Sequence, residues 1–347
     1  MAALRKATVV VQRERDNRIF QPGAGPNGGD FFLPWRALRE AFAAAGYALN
    51  TADVNAGEPV AFELHLNAQR RLPSDRPCYA YLYEDPLVRP LNANRAHLAH
   101  YRRLWTWDQS LIDQQHVLAL AYPNDLAVRP VPGWDGRDLH CVMLASNKAL
   151  RHPDPRNLHD QRVAVIRAFE ARCPDRFALF GRGWQIPAVQ PGAWGRIRKR
   201  LQEWRVRSPW PPAQPPFPSW RGPAHRKSDV LDRARFSICY ENTHGNPGYL
   251  TEKIFDCMTS GSVPVYLGVP PATLPMPADC YIDGAALRDP VHLIAALDAV
   301  NAAAFARHQA AMRSFLQSPA AQPHTNAHWC QTLVQGICAE QRALGLA

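Results

Sequence analysis

Short apolar runs alternate with amphipathic segments along the first 120 residues of the chain. The runs are bounded by Gly, Pro or charged residues, which is typical of buried strands. They lie at residues 7–12, 61–66, 77–84 and 102–108. Between the first two runs, apolar residues recur at helical spacing up to Gly46, and a further strand follows. Strands that alternate with helices favour a parallel sheet with helices on its faces.

The same alternation starts again after an irregular segment at residues 123–138. Pro, Gly and Asp interrupt that segment and leave no clear period, which is typical of a linker. Strands are then predicted at 140–147, 176–181, 236–241 and 263–268, and helices at 162–173, 230–234, 250–261, 289–317 and 328–347. We predict a first α/β domain at 1–135 and a second at 136–320. Residues 321–347 are expected to form a helix that packs back on the first domain.

Length and composition favour a globular protein with two domains. The chain has 347 residues, 46% of them hydrophobic, which is enough to bury a sizeable core. No apolar stretch approaches the roughly 20 residues of a membrane-spanning helix. The apolar run near the N-terminus is too short for a signal peptide and is better explained as the first strand. Eight cysteines are scattered without a CxxC pair, so we expect free thiols in a reducing cytoplasm.

The formal net charge of +10 fits three kinds of partner, namely nucleic acid, an anionic membrane or an anionic substrate. The sequence has no zinc finger and no aromatic–basic alternation typical of nucleic-acid modules, so no nucleic-acid partner is expected. Six basic residues lie between Trp194 and Arg207, with Trp194, Ile197, Leu201 and Trp204 at near-helical spacing. This segment is a peripheral contact with an anionic membrane, a guard of a diphosphate site, or a solvated helix docked by its tryptophans.

The most informative stretch runs from Arg235 to Gly268. A buried strand delivers Glu241 and Asn242 to its C-terminal end, a loop with Gly and Pro follows, and a helix begins near Thr251. Ligands of open α/β sheets bind outside the carboxyl ends of the strands, and the N-terminus of a helix suits a phosphate. Lys253 would add a positive charge for a diphosphate, and Glu252 could accept hydrogen bonds from sugar hydroxyls. The alternative is an ordinary βαβ unit with a capped helix.

Taken together, FSICYENT and GYLTEKIFDCMTSGSVPVYLG resemble the C-terminal signature of the α-1,3/1,4-fucosyltransferase family, glycosyltransferase family 10. The resemblance is strong over residues 225–285, fainter over 77–225, and not detectable in the first 60 residues. It implies a GT-B fold, in which two Rossmann-like domains face each other across a cleft. It also implies transfer of L-fucose from GDP-fucose to an oligosaccharide or glycoconjugate acceptor, with inversion at the anomeric carbon and no essential metal.

The resemblance also implies which residues contact the donor. Mapped onto this chain, the family's donor-binding positions fall on Ser146, Asn147, Arg162, Arg182, Asn242, Tyr249, Glu252 and Lys253. Tyr249 would line the nucleotide pocket, and Lys253 would offset the charge of the departing diphosphate. An arginine at position 182 would clamp diphosphate oxygens through two hydrogen bonds. For Arg162 and Arg182, an ordinary surface or strand-end arginine is the alternative.

Inverting transfer also needs a base for the acceptor hydroxyl. Glu84 and Asp85 follow an apolar run in the first domain, and the resemblance favours Glu84 because the family has a glutamate at a comparable strand end. Alternation along residues 79–83 does not decide which carboxylate points inward. A turn carboxylate next to Pro86 is the structural alternative for Glu84.

Two histidine pairs have spacings that one helix face could present to a metal. They are His97 with His100, and His324 with His328 near Cys330. Neither pair has an obvious carboxylate or second cysteine to complete a site, so no metal site is predicted. Two other functions stay open from the residues alone. One keeps the fold but uses another GDP-sugar donor, and the other is a non-catalytic glycan- or nucleotide-binding protein.

Overall fold

The computed structural model describes residues 3–12, 14–23, 32–150, 153–189, 192–207 and 216–346. The chain forms two compact units. Unit 1 comprises 1–125, 247–252 and 321–347, and unit 2 comprises 126–246 and 253–320. The change from unit 1 to unit 2 after Asp125 lies inside the 123–138 segment interpreted as a linker, ahead of the boundary placed after residue 135.

Unit 1 is built on one sheet whose strand pairs are all parallel, in the order β2-β1-β3-β4-β5-β6. The strands are β1 Arg5–Val10, β2 Tyr47–Thr51, β3 Glu63–Leu66, β4 Cys78–Leu82, β5 Arg103–Thr106 and β6 Val117–Ala119. The helices of this unit are α1 Leu33–Ala44, α2 Arg95–Leu98 and α9 Asn326–Ala343. Four of the strands were predicted from apolar runs, and the strand after Gly46 is confirmed as β2.

The last helix of the chain, α9, contributes to the core of unit 1. The rings of Trp35 on α1 and Trp329 on α9 meet edge to face, with 5.1 Å between centroids. Trp329 also packs edge to face against Tyr81 of β4, and both residues are fully buried. Aromatic pairs in this arrangement gain about 0.5–1.5 kcal/mol beyond the burial of their apolar surface.

Unit 2 contains a second sheet of parallel strands, in the order β11-β10-β9-β7-β8. Its strands are β7 Leu139–Leu144, β8 Phe177–Phe180, β9 Ala234–Tyr240, β10 Val263–Leu267 and β11 Ile282–Asp283. Its helices are α3 His159–Arg172, α4 Ala193–Arg207, α5 Lys227–Leu231, α6 Glu252–Thr259, α7 Pro290–Asp298 and α8 Ala302–Leu316. The first residue of α6 is grouped with unit 1.

Three short elements were not predicted, namely β6, β11 and α2. Each spans only two to four residues, too few to show a hydrophobic period. The helix predicted at 230–234 was misplaced, because α5 ends at Leu231 and β9 already begins at Ala234. Within the described part of the chain, no helix combines the length and the apolar character that crossing a bilayer requires.

Candidate functional site

Four of the predicted donor-binding residues follow strand ends at one edge of the unit 2 sheet. Because the strands are parallel, their C-terminal ends lie on the same side, which we call the carboxyl edge of unit 2. Ser146 and Asn147 follow β7, Arg182 follows β8, and Asn242 follows β9. The chain runs outward from β7 to β8 and returns to β9 on the other side of β7. Such a reversal of strand order is where open α/β sheets bind ligands.

Two helices begin at this edge, which makes it suitable for an anion. Helix α3 lies between β7 and β8 in the chain, and α6 lies between β9 and β10. Each helix therefore starts after the C-terminal end of a parallel strand. The first N–H groups of a helix have no partner inside it, and the helix dipole adds partial positive charge there.

Lys253 and Glu241 form an ion pair at the start of α6. Nζ of Lys253 lies 2.8 Å from Oε2 of Glu241, whose side chain is fully buried, whereas the lysine side chain is 21% exposed. The sequence predicts that Lys253 supplies a positive charge to a bound diphosphate. In the structure much of that charge is balanced by a buried carboxylate, so the pair is close to neutral as a unit.

The glycine after β10 leaves room for the buried glutamate. A Cβ atom on Gly268 would lie 2.6 Å from Cγ of Glu241 and 2.4 Å from the Tyr266 hydroxyl. Real Cβ atoms do not approach other atoms so closely, and both neighbours are packed against the strand ends. Glycine at position 268 therefore lets side chains of this protein approach the backbone closely.

Arg162 is buried beneath the end of β9. Its Nη2 atom donates to the carbonyl oxygen of Tyr240 at 2.5 Å and to Oδ1 of Asn242 at 3.2 Å, and only 3% of the residue is exposed. Nη1 lies 3.2 Å from Nδ1 of His159. These contacts orient Asn242 and the end of β9. The guanidinium thus acts on Asn242 in this structure, rather than projecting from the protein toward a ligand.

Positive charge is concentrated around His159, the first residue of α3. Burial, followed by the charges of Arg162, Lys148 and Lys253, lowers the pKa of His159 to about 3. A neutral imidazole is required by the contact with Arg162, since only an unprotonated Nδ1 can accept its hydrogen bond. Three cations therefore lie near His159 at the carboxyl edge of unit 2, and one of them, Lys253, is paired with Glu241. Neither Lys148 nor His159 was predicted from the sequence for this role.

The loop after β8 is held against the loop after β7. A Cβ on Gly181 would lie 1.8 Å from the carbonyl oxygen of Ala145, and its φ of +135° is left-handed. The same oxygen accepts a hydrogen bond from Nε1 of Trp184 at 2.7 Å. Nδ2 of Asn147 donates to the carbonyl of Gly183 at 3.1 Å. Arg182 lies within this pinned loop and is exposed, so its guanidinium is the most accessible of the predicted phosphate ligands.

The carboxyl edge of the unit 1 sheet presents Glu84 and Asp85 after β4, and the two carboxylates differ in environment. Asp85 is fully buried, and its Oδ1 accepts a hydrogen bond from the backbone N of Leu87 at 2.7 Å. This carboxylate closes a turn. Glu84 is only half-buried, so it is the more accessible of the two. The two carboxylates thus differ in burial, which the alternation of residues 79–83 did not decide.

Two buried asparagines hold the backbone of the candidate base. Oδ1 of Asn67, directly after β3, accepts hydrogen bonds from the N–H groups of Tyr83 at 2.9 Å and Glu84 at 2.7 Å. Nδ2 of Asn92 donates to the same oxygen at 2.9 Å and to the carbonyl of Glu84 at 2.8 Å. Asn67 has a φ of +65°, which asparagine tolerates better than most residues. Neither asparagine was predicted from the sequence for this role, although Asn67 follows a predicted strand.

The carbonyl oxygen of Tyr83 also has side-chain donors. It accepts a hydrogen bond from Nε1 of Trp107 at 2.9 Å and another from the hydroxyl of Tyr122. The backbone polar groups of both Tyr83 and Glu84 are therefore bound by side chains that follow β3, β5 and β6 or lie near them. This network restricts the backbone from which the Glu84 side chain extends.

Tyr249 lies in an aromatic cluster of unit 1. Its ring packs 4.6 Å from that of Trp107 and 6.1 Å from that of Tyr122, centroid to centroid, and 2% of the residue is exposed. A Cβ on the preceding Gly248 would lie 2.2 Å from the carbonyl oxygen of Trp107. Tyr249 was expected to line a nucleotide pocket. In the structure its ring lies inside the core of unit 1.

Glu252 begins α6 and is half-buried. Burial, followed by the charges of Glu252 and Glu84, raises the pKa of the Tyr83 hydroxyl well above its usual range. Both carboxylates are therefore near enough to Tyr83 to act on its ionisation. The phenol stays protonated at neutral pH and can serve as a hydrogen-bond donor.

A cluster of potential metal ligands lies elsewhere in unit 1. The ligand atoms of Glu63, His65 and Cys78 all lie within 4.8 Å of one another. Both ring nitrogens of His65 already have polar partners, because Nε2 lies 2.9 Å from Glu63 and Nδ1 lies 2.9 Å from the Tyr101 hydroxyl. A hydrogen-bonded core network accounts for these contacts. Within the described ranges, neither histidine pair noted in the sequence belongs to a cluster of three such ligands.

Comparison with solved structures defines the class of fold. A crystal structure of an α1,3-fucosyltransferase with GDP-fucose matches with a TM-score of 0.51 and 13% identity, over 97% of this chain and 92% of that chain. A structure of an α-glucosyltransferase in complex with UDP matches with a TM-score of 0.52 and 10% identity, over 96% and 100% of the two chains. At these identities the likeness concerns the fold alone. The prediction of two parallel-sheet α/β domains of the GT-B glycosyltransferase type is confirmed.

Sequence comparison then shows which family the C-terminal part resembles. Residues 216–342 match the family described as glycosyltransferase family 10 (fucosyltransferase) C-term. The α-(1,3)-fucosyltransferase FucT of Helicobacter pylori is 46% identical over 44 residues. That match covers 13% of this chain and 9% of the relative. This match lies in the segment where the sequence resembles family 10, and it confirms that resemblance there.

Proposed function

We propose that this protein transfers L-fucose from GDP-fucose to a hydroxyl of an oligosaccharide or glycoconjugate. One observation carries the proposal. The segment that matches the family 10 domain includes β9 and α6, and these elements deliver Asn242 and Lys253 to the carboxyl edge of unit 2, where Arg162 and Lys148 also lie near His159. An anionic nucleoside diphosphate is the ligand chemistry that such an edge favours.

Unit 2 is proposed to bind the donor. Arg182 is the best candidate for a direct hydrogen-bonded clamp on the diphosphate, because it is exposed and lies on a loop held by Gly181 and Trp184. Lys253 would share its charge between Glu241 and the ligand. Ser146, Asn147 and Asn242 are candidates for neutral contacts at the same edge, and Arg162 is proposed to orient Asn242.

Unit 1 is proposed to supply the base, Glu84. Support comes from its position after β4, from a carboxylate that is only half-buried, and from a backbone bound by Asn67 and Asn92. Asp85 is the weaker candidate because it is fully buried and already closes a turn. Tyr249 and Glu252 would act from unit 1, through packing and hydrogen bonding near Tyr83.

In the proposed reaction, the acceptor oxygen forms a bond to the anomeric carbon of fucose while its proton passes to the Glu84 carboxylate. The bond between that carbon and the β-phosphate oxygen breaks, and the electron pair leaves with GDP. Attack opposite the leaving group inverts the configuration. We propose that Arg182, Lys253 and the N-termini of α3 and α6 offset the charge that develops on the diphosphate, so that transfer proceeds without an essential metal.

Donor recognition can be measured by thermal unfolding with GDP, UDP and GDP-fucose. A ligand at about 100 times its Kd adds about 2.7 kcal/mol to the free energy of unfolding, so GDP and GDP-fucose should raise the Tm and UDP should raise it less. Released GDP and the mass of the product, measured with a panel of GDP-sugars and an acceptor library, identify the sugar. Transfer in the presence of EDTA checks the metal-independent route.

The outcomes separate the rival functions. No stabilisation by GDP at millimolar concentration would refute the donor assignment. Preferential transfer from another GDP-sugar would keep the reaction class and replace fucose. Binding of GDP without product from any acceptor would favour a nucleotide- or glycan-binding protein.

A further inference from the structure

Helix α4 carries an apolar stripe that faces solvent. Trp194, Ile197, Leu201 and Trp204 are 84%, 51%, 61% and 71% exposed, respectively. Isolated exposed apolar residues are normal on a protein surface, but four large ones on a single helix form a patch. At about 100° per residue, these four side chains fall within an arc of about 80°. The patch is thus continuous along the helix.

The less exposed side of α4 is polar. Gly195, Gln202 and Glu203 are the half-buried residues between Trp194 and Arg205. On a helix of about 3.6 residues per turn they lie opposite the apolar stripe. A helix that packs on a core normally turns its apolar face inward. The exposure of Trp194 and Trp204 rules out the interpretation in which the tryptophans dock the helix onto the protein.

Basic residues flank the stripe on both sides. Arg198 and Arg205 lie beside one margin and Arg196 and Arg200 beside the other, within about 20–80° of the nearest apolar residue. All four are exposed. The acidic residue of the helix, Glu203, lies on the far side, 3.8 Å from Lys199. Long arginine side chains can keep their charge in water or among headgroups while their stems cover apolar surface.

We propose that α4 lies in the interface of an anionic lipid bilayer, with its stripe in the acyl region and its arginines among lipid phosphates. Trp at the headgroup level, flanking cations and an apolar face are the features of an interfacial helix. Anionic lipid attracts each basic residue near the surface, and the attraction weakens with added salt. The peripheral membrane contact considered from the sequence thus has a defined surface, given by residues Trp194–Arg205.

Other occupants match this surface less well. A second copy of the chain would bring two sets of arginines together on a protein whose formal net charge is already +10, and like charges in an interface oppose association. A nucleic-acid backbone would satisfy the arginines but would leave the apolar stripe against phosphates and water. A bilayer interface offers anionic phosphates and an apolar phase that lie within the length of one side chain of each other.

The test is flotation of the full chain with vesicles of phosphatidylcholine, alone or mixed with phosphatidylglycerol. Binding to the mixed vesicles should exceed binding to neutral ones by about tenfold or more at low salt, and added NaCl should reverse it. The double variant Trp194→Ser/Trp204→Ser should lose at least about tenfold in binding, since both rings leave the acyl boundary. A triple variant, Arg198→Gln/Arg200→Gln/Arg205→Gln, should lose the preference for anionic lipid.

The matched control is Leu4→Ser/Leu346→Ser, which removes exposed apolar side chains outside α4 and should leave vesicle binding unchanged. All substituted positions are exposed, so urea unfolding midpoints should stay at the wild-type value. Equal binding to neutral and anionic vesicles, or unchanged binding by the tryptophan variant, would overturn the proposal. So would a dimer, detected by light scattering, or salt-sensitive binding to duplex DNA that the tryptophan variant abolishes while vesicle binding persists. Transfer to a soluble acceptor should survive in every variant, so this test is independent of the proposed reaction.

Discussion

The ammonium of Lys253 is held by the carboxylate of Glu241, with 2.8 Å between Nζ and Oε2. The carboxylate is fully buried at the end of β9, and the lysine belongs to the first turn of α6. The pair thus joins the strand and the helix that the family signature spans. A charge of either sign alone would be costly at this position, because buried ions need a partner.

Replacing Lys253 should therefore destabilise the protein more than replacing Glu241. We expect Lys253→Met to lower the free energy of unfolding by about 3 kcal/mol, because it leaves a buried carboxylate without its cation. Glu241→Gln should cost less, since the lysine is partly exposed and can regain water. The double variant should be more stable than Lys253→Met alone. Urea unfolding of the four proteins measures the coupling.

Lys199→Met provides a control for that cycle, because Lys199 and its partner Glu203 keep 60% and 42% of their side chains exposed and such pairs contribute about 0–1 kcal/mol. If Lys253→Met unfolded at the same urea concentration as Lys199→Met, the buried pair would not stabilise the β9–α6 connection.

The two carboxylates after β4 should separate in their effects on transfer. Glu84→Gln should lower kcat by about 100-fold or more, because general-base catalysis contributes about 10²–10⁴ in rate. Its affinity for GDP should stay near the wild-type value. Asp85→Asn keeps an oxygen that can close the turn at Leu87, so most of the activity should remain. The reverse result, with Asp85→Asn inactive but folded, would reassign the base.

Asn67 should matter for both stability and transfer. Asn67→Gly removes the acceptor shared by the N–H groups of Tyr83 and Glu84 but retains the left-handed backbone. A buried donor without a partner costs about 1–3 kcal/mol, so a loss of about 3 kcal/mol is expected. Asn67→Ala should lose about 1 kcal/mol more, because an alanine side chain opposes a φ of +65°. Urea unfolding gives the difference.

Transfer should decrease in the same order, with kcat affected more than KM for the donor, since the asparagine positions Glu84. Equal stability of the glycine and alanine variants would show that the left-handed backbone at position 67 carries no strain. Wild-type kcat in both would remove Asn67 from the support of the base.

Lowering the pH should reduce the free energy of unfolding through the protonation of His159 in the unfolded chain. Burial and nearby cations lower its pKa to about 3 in the folded protein, whereas an unfolded histidine has a pKa of about 6.5. Below pH 6.5 only the unfolded chain takes up this proton, so stability is lost as the pH falls toward 3. Between pH 6.5 and 5 the loss is about 2 kcal/mol, at 1.36 kcal/mol per pH unit.

A variant isolates this contribution from other titrating groups. His159→Gln keeps a side-chain oxygen that can accept from Arg162, and it cannot titrate. Its loss of unfolding free energy between pH 7 and pH 5 should be about 2 kcal/mol smaller than that of the wild type. An equal loss in both proteins would mean that His159 can be protonated in the fold.

Local pattern was sufficient for the strands and helices that form the site. Runs such as FSICYE and VPVYLG are apolar at most positions because both faces of a parallel sheet are covered, and they form β9 and β10. The signature also placed Asn242 and Lys253 at the edge where they lie. The same reasoning missed β6 and β11, whose few residues carry no period, and it misplaced α5.

Taken alone, the sequence determined the class of fold, the order of the two parallel α/β units, and the family that the segment around β9 and α6 resembles. Tertiary structure decided how the charges of that segment are used. It paired Lys253 with Glu241, buried Arg162 against Asn242, placed Tyr249 among the rings of unit 1, and turned the apolar stripe of α4 outward. The spacing of residues that are close in the chain can be recognised in the sequence. Contacts between separate segments cannot, because only the packing of the folded chain decides which groups a side chain contacts.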